Sequence, residues 1–347
     1  MSGKYPISRK VTKIKLGRNK FKYSFKYKWK NGKSVTDKKT VQRINKLRIP
    51  PAYKNVKIFS STSKIQYTAL DDKKRIQKGY HPIWIQERNR KKFRDLTEFV
   101  KAYPKIIRKI NKLLPSSGVP KTKKQMVALA AGLLDACRIR PGSDKHLRDT
   151  GSYGTTTLCK KHIKKKTSGG RTYISLKFIG KSGVTNECKI KYSTKVAKNL
   201  YNLSKKRNRP NSSIFNTKDY KVTGSDINRF LQDIGGKYIS GKSFRTYHAN
   251  IAFLQKILPS LKNKKIMHSE ASRKKHTIEV IKKAAEELHH NPATFKNSYL
   301  FTPIRELYIA DPSQFKRTFN KKDLNKALSV FIRKNTSRYA KVPKNWK

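Results

Sequence analysis

The chain has 347 residues, with 85 Lys and Arg against 20 Asp and Glu, a formal net charge of +65. That length admits two domains and a sizeable core, and so large a charge of one sign repels itself unless a polyanion neutralises it. DNA or RNA is therefore expected as partner rather than an anionic membrane.

The longest apolar run, Met126 to Leu134, is much too short to span a bilayer. No signal-peptide pattern opens the chain. Cys137, Cys159 and Cys188 are odd in number and widely spaced, which fits neither a disulfide framework nor a zinc site. An intracellular protein with reduced thiols is expected.

Residues 20–30 alternate Lys with aromatic residues, so Phe21, Tyr23, Phe25, Tyr27 and Trp29 share one face of a strand. The reading is a half-buried strand with a solvated basic face; a base-stacking surface is the alternative. Asn31-Gly32 then signals a hairpin. Short strands at Val56–Ser60 and Ile65–Ala69 make the first 85 or so residues a small β-rich region.

From about residue 88 the pattern turns helical, and Met126–Cys137 reads as a nearly all-apolar central helix. Residues 155–190 return to strands: Thr155–Ile163, Tyr173–Ile179 and Val184–Ile190, a three-stranded meander with its second tip at Gly180-Lys181-Ser182-Gly183. Ser204–Ser213 reads as an exposed loop. Helices resume at Ser225–Ile234, stopped by Gly235-Gly236, and along a stripe of Phe244, Tyr247, Ile251, Leu254 and Leu258. A further stripe, Ile278, Ile281, Ala285 and Leu288, ends where Asn291 as N-cap and Pro292 at the first position start another helix. The fold class is thus α+β. A β-rich N-terminal domain, 1–87, precedes a larger, mainly helical domain, 88–347, with an inserted three-stranded β-meander.

Phosphodiester cleavage needs a nucleophile, neutralisation of two non-bridging oxygens and a proton for the leaving alkoxide. Carboxylate-held metals are the usual solution. Here acids are few, and the pairs Asp71-Asp72 and Glu286-Glu287 are sequence neighbours that need not converge on one ion. Cationic side chains remain. Arg140 lies just past the apolar helix, before a Pro141-Gly142 stop, and Lys181 sits between glycines at a hairpin tip. Arg245 adjoins a core stripe, where a guanidinium needs a partner. His290 closes one helix, and Tyr299 lies about two turns into the next. Singly, each has an ordinary structural reading: a capping Arg, a solvated tip Lys, a core His or Tyr.

In this order the five resemble the active site of type IB DNA topoisomerases, especially the compact poxvirus, giant-virus and bacterial enzymes. The carrying segments are Ile139-Arg140-Pro141-Gly142, Tyr153-Gly154-Thr155-Thr156-Thr157-Leu158, Leu176-Lys177-Phe178-Ile179-Gly180-Lys181, Phe244-Arg245-Thr246-Tyr247 and His290–Tyr299. Ile49-Pro50-Pro51-Ala52-Tyr53, Asp71–Tyr80 and His81-Pro82 agree, so the resemblance covers roughly residues 45–310. Two departures stand out: His289 occupies the place of a Gly that usually precedes the family's catalytic His, and Ser243 that of an acidic residue.

The resemblance implies that Tyr299 attacks a phosphodiester to form a 3′-phosphotyrosyl link and release a 5′-hydroxyl strand. Arg140, Arg245 and His290 would contact the non-bridging oxygens, while Lys181, with Lys242 in reserve, would protonate the leaving oxygen. Supercoils of both signs would relax by strand swivelling and religation, with no cofactor, no ATP and no obligatory metal. A monomer would clamp double-stranded DNA, with Arg75, Gln77, Tyr80, Arg88 and Lys145 among its contacts and no obligatory protein partner. A viral source would place it in the virion or at the site of viral DNA replication in the host cytoplasm.

Two other readings use the same composition. A tyrosine recombinase runs similar chemistry, but usually carries a His two or three residues before the second Arg, where this chain has Gly241-Lys242-Ser243-Phe244. A non-catalytic DNA-compacting protein would fit the charge, yet would not need these five residues in this order.

Overall fold

The computed structural model describes residues 5–17, 20–289, 291–320 and 322–336. It divides into two compact units, one reaching Lys91 and the other running from Lys92 to Thr336.

In the first unit, strands β1 (Ile7–Gly17), β2 (Lys20–Lys28), β3 (Lys54–Ile58), β4 (Ile65–Leu70) and β5 (Ile76–Tyr80) form one sheet in the order β2-β1-β3-β4-β5. All its pairings are antiparallel. Helix α1 (Lys38–Lys46), N-capped by Asp37, buries Ile44. It shares a small core with Ile7, Tyr27, Val35, Ile49, Val56, Ile58 and Ala69. The expected period-two strand is present, but its partner is β1 on its N-terminal side. Asn31-Gly32 does turn the chain, yet the segment after it returns only an isolated bridge, Lys28 to Ser34. α1 breaks the expected run of strands.

Helix α2 (Pro82–Leu113) begins earlier than the periodicity places it. In the second unit α3 (Lys123–Cys137) is the central helix. A capping box of Thr122 and Gln125 starts it, and every residue from Met126 to Leu134 is buried, so it packs on all sides. α4 (Asp144–Thr150) follows it in sequence; α5 (Lys195–Lys205), α6 (Gly224–Gly235) and α7 (Gly241–Ile257) pack against it, and the chain continues through α8 (Lys264–Met267), α9 (Glu270–Glu287), α10 (Pro292–Thr294), α11 (Thr302–Ala310), α12 (Pro312–Phe319) and α13 (Leu324–Asn335). The meander is an antiparallel sheet of β6 (Ile163–Ser168), β7 (Arg171–Ile179) and β8 (Thr185–Lys191). The architecture is α+β, as the sequence patterns predict.

Three local expectations fail for physical reasons. Thr155–Ile163 is not a strand: Thr155 and Thr156 turn their amides and hydroxyls onto the carbonyls of Arg140 and Pro141, so the run forms short 3₁₀ turns instead of a ladder. Ile278 is 52% exposed. The buried stripe of α9 runs through Thr277, Val280, Ile281, Ala284 and Ala285, with Arg305 hydrogen-bonded to the Thr277 hydroxyl at 3.1 Å. Finally, Cys137 and Cys188 form a disulfide with Cα atoms 5.5 Å apart, which overturns the expectation of reduced thiols. They lie 51 residues apart in sequence, so only the docking of β8 beside the end of α3 brings them together.

Candidate active site

The site is built where α3, α7, α9 and the Tyr299 turn converge. α3 ends at Cys137, and Arg138 caps it in the left-handed region (φ 56°). The chain then buries Ile139 and presents Arg140, half-buried. Gly142 and Gly154 hold the next stretch in place. A Cβ on Gly154 would sit 2.6 Å from the Gly142 Cα, so the backbones meet only because both side chains are absent. The amide of Thr155 donates to the Arg140 carbonyl at 2.8 Å and that of Thr156 to the Pro141 carbonyl at 2.7 Å. Arg140 is thereby fixed on a rigid loop.

Tyr299 is 6% exposed and closes a π-helical turn, Phe295–Tyr299, that follows the single turn of α10. The expected start is correct in detail, with Asn291 Oδ1 accepting from the amides of Ala293 (2.9 Å) and Thr294 (3.4 Å). The regular helix expected through Tyr299 is replaced by the wider turn. Asn250 of α7, fully buried, holds this turn from behind. Its Nδ2 donates to the Tyr299 carbonyl at 3.0 Å, and its Oδ1 accepts from the Phe301 amide at 2.8 Å.

Arg140 Nη2 lies 3.5 Å from the Tyr299 hydroxyl, and the Arg245 guanidinium carbon lies 5.7 Å from the ring centroid. Arg245 is the largest fully buried side chain, 1% exposed. It donates to the carbonyls of Arg138 and, at 3.3 Å, of Leu288, while its Nε is buried without a hydrogen-bond partner. Burial, then the Arg140 charge, pulls the Arg245 pKa down to about 10, so it remains a cation at neutral pH. For Tyr299, burial pushes the phenol upward, but the neighbouring Arg245 and Arg140 outweigh it and the pKa falls below the usual value. A phenol whose pKa is drawn down beside two guanidinium groups has the chemistry a nucleophile needs, in a place where cations can hold an anion.

Of the expected residues, the structure brings together Arg140, Arg245 and Tyr299. Lys181 is exposed at the β7–β8 tip, where the amide of Gly180 bonds the Val184 carbonyl at 2.8 Å. Lys242 is exposed in the first turn of α7. His290 lies outside the described residues. In the first unit, Arg75 and Gln77 both bond Asp71, at 2.8 and 2.9 Å, and Arg88 lies 6.0 Å from the Tyr80 ring centroid. Lys145 is exposed on α4 of the second unit.

Two residues at the site escape sequence reasoning. One is Asn250, whose neighbours in sequence give no hint of Tyr299. The other is Glu287, which pairs with Arg138 at 2.6 Å and Lys256 at 2.7 Å and so ties the end of α9 to α3 and α7. An acid in so basic a chain was the available signal for the second.

A family model of the eukaryotic DNA topoisomerase I catalytic core matches residues 81–323, and one of the bacterial DNA topoisomerase IB N-terminal domain matches residues 24–71. The chain belongs to the type IB DNA topoisomerases and is an enzyme that acts on DNA. Among relatives, DNA topoisomerase 1B of Acanthamoeba polyphaga mimivirus is 33% identical over 296 residues, 83% of this chain and 85% of that protein. DNA topoisomerase 1B of vaccinia virus (strain Copenhagen) is 26% identical over 321 residues, 88% of this chain and 96% of that protein. Family membership sets aside the recombinase and the non-catalytic readings. Among the described residues, no helix is long and apolar enough to cross a membrane.

Proposed function

We propose that this enzyme relaxes positive and negative supercoils by cutting and resealing one DNA strand through Tyr299. The observation that carries the reading is the buried Tyr299 phenol, held against Arg140 and Arg245 with its pKa drawn down. Tyr299, its phenolic proton released to solvent, attacks phosphorus through the phenolate oxygen and the P–O5′ bond breaks. A 3′-phosphotyrosyl ester forms and the 5′-oxygen leaves, taking a proton from Lys181 with help from Arg140. Charge grows on the non-bridging oxygens as this happens, and Arg140, Arg245 and His290 neutralise it. Arg245 costs little reorganisation, because two carbonyls already hold its guanidinium.

The tyrosyl ester exchanges one phosphodiester for another, so resealing runs the same step backwards without ATP, cofactor or obligatory metal. Between the two steps the free strand swivels and torque dissipates. The enzyme works as a monomer. Arg75, Gln77, Tyr80 and Arg88 in an N-terminal domain of residues 1–87, and Lys145 in a catalytic domain of residues 88–347, contact the duplex. With viral relatives on either hand, the proposed setting is a virion or a site of viral DNA replication.

The test is relaxation of both negatively and positively supercoiled plasmid in EDTA without ATP, comparing the native chain with Tyr299→Phe. Relaxation of both signs by the native chain alone is expected. Plasmid bound but relaxed by neither protein would sink the proposal.

A further inference from the structure

The β1–β2 ribbon carries more charge and more aromatic surface than its sheet uses. Its register pairs Arg9 with Tyr27, Val11 with Phe25, Lys13 with Tyr23 and Lys15 with Phe21, so these eight residues share one face. At the base that face is core: Tyr27 is buried, and Arg9 donates to the carbonyls of Ile49, Pro50 and Tyr53 at 2.8–2.9 Å, anchoring the ribbon.

Beyond Val11 and Phe25 the core stops and the ribbon continues. Every described residue from Thr12 to Ser24 is exposed, including Phe21 at 42% and Tyr23 at 40%. β1 pairs with β3 only through Ile7 and Ser8, so both edges of this outer half are unpaired within the sheet. At about 3.3 Å per residue it extends roughly 20 Å.

Residues 7–28 contain no acid. Lys13 and Lys15 lie on the aromatic face, Lys20 and Lys22 on the opposite one, and all four are exposed. The family models begin at residue 24, so the outer half of the ribbon, Ser24 apart, falls outside both matched spans.

We propose that the outer half of the β1–β2 ribbon is an additional duplex-DNA contact, lying in a groove with lysines towards both phosphate walls. A two-stranded ribbon fits a major groove about 12 Å wide. Cations on both faces suit a groove, which has phosphates on either side. A single strand stacking on Phe21 and Tyr23 would use one face only, and Lys13 Nζ already covers the Phe21 ring at 3.6 Å. The rival physical account is that the lysines merely keep two open strand edges from pairing with other chains. The inference rests on the enzyme being a DNA topoisomerase, but not on Tyr299 chemistry.

The test measures equilibrium binding of a 60-base-pair duplex against salt, in a Tyr299→Phe background so that cleavage plays no part. The quadruple variant Lys13→Gln, Lys15→Gln, Lys20→Gln, Lys22→Gln is compared with its parent. Each lost phosphate contact lowers the log–log salt slope by about 0.9. The expected result is a slope smaller by about 2–4 and binding at least about tenfold weaker at 100 mM salt, with an unchanged melting temperature. The matching quadruple Lys→Arg variant should bind as the parent does. An unchanged slope overturns the proposal. So does loss confined to single-stranded oligonucleotide, or self-association of the Gln variant with duplex binding intact. Failure of the plasmid assay would leave this measurement standing.

Discussion

Asn250 is the residue whose loss should most clearly separate placing the proposed nucleophile from being it. It makes three hydrogen bonds: to the carbonyls of Thr246 (2.7 Å) and Tyr299 (3.0 Å) and from the amide of Phe301 (2.8 Å). Asn250→Ala removes all three. Thr246 lies within α7, and its carbonyl keeps a helical partner. The Tyr299 carbonyl and the Phe301 amide, both in buried residues, lose Asn250 as a partner. A buried polar group left unmet costs about 1–3 kcal/mol, so the pair costs about 2–6 kcal/mol if the turn stays in place. If the turn shifts to recover those bonds, the cost moves from stability to rate, because a displacement of about 1 Å at the reacting atom slows chemistry around a hundredfold.

Asn250→Asp keeps the acceptor for Phe301 but sets a carboxylate against the Tyr299 carbonyl, and should do no better. Urea unfolding and single-turnover cleavage of a radiolabelled duplex read the two costs separately. An Asn250→Ala protein with its unfolding midpoint unchanged and cleavage within threefold of native would refute the reasoning.

Two further perturbations test the fold that carries the site. His162 is buried between the Tyr153 and Phe178 rings, its Nδ1 accepts from the Cys159 amide at 3.0 Å, and burial pulls its pKa down to about 4. Between pH 6.5 and 4 the unfolded chain therefore binds more protons than the folded one, and stability falls as pH drops through that window, by about 3 kcal/mol in all. His162→Asn keeps an acceptor for the Cys159 amide and cannot titrate, so its urea midpoint should fall less over the same range; parallel curves would contradict the assignment. The Cys137–Cys188 cross-link closes a 51-residue separation, which on chain entropy stabilises the fold by about 4 kcal/mol. Dithiothreitol should lower the melting temperature of the native protein and leave Cys188→Ser unmoved; equal melting of the native protein with and without reductant would show that the bond constrains nothing.

Much of this enzyme is legible in one dimension, because the signals involved are local. The +65 charge requires a polyanion whatever the fold. The apolar run of α3, the alternation of β2 and the Asn291-Pro292 start each need only neighbours in sequence to act. The candidate site residues stand out through their order along the chain, and the structure brings three of them, Arg140, Arg245 and Tyr299, together.

What sequence could not supply is everything that depends on which surfaces meet. Thr155 and Thr156 have strand propensity, but the Arg140 and Pro141 carbonyls compete for their amides and win. Cys137 and Cys188 become partners only because β8 docks beside α3. Arg245 lies beside a core stripe in the sequence, but its complete burial follows from the Arg138 and Leu288 carbonyls arriving from two other segments. The downward shift of the Tyr299 phenol has the same origin. It results from two guanidinium groups, 159 and 54 positions away along the chain, brought within a few ångströms in a setting where burial strengthens every charge. Local pattern set the elements and the composition set the partner; the close approach of distant backbones assembled the candidate site.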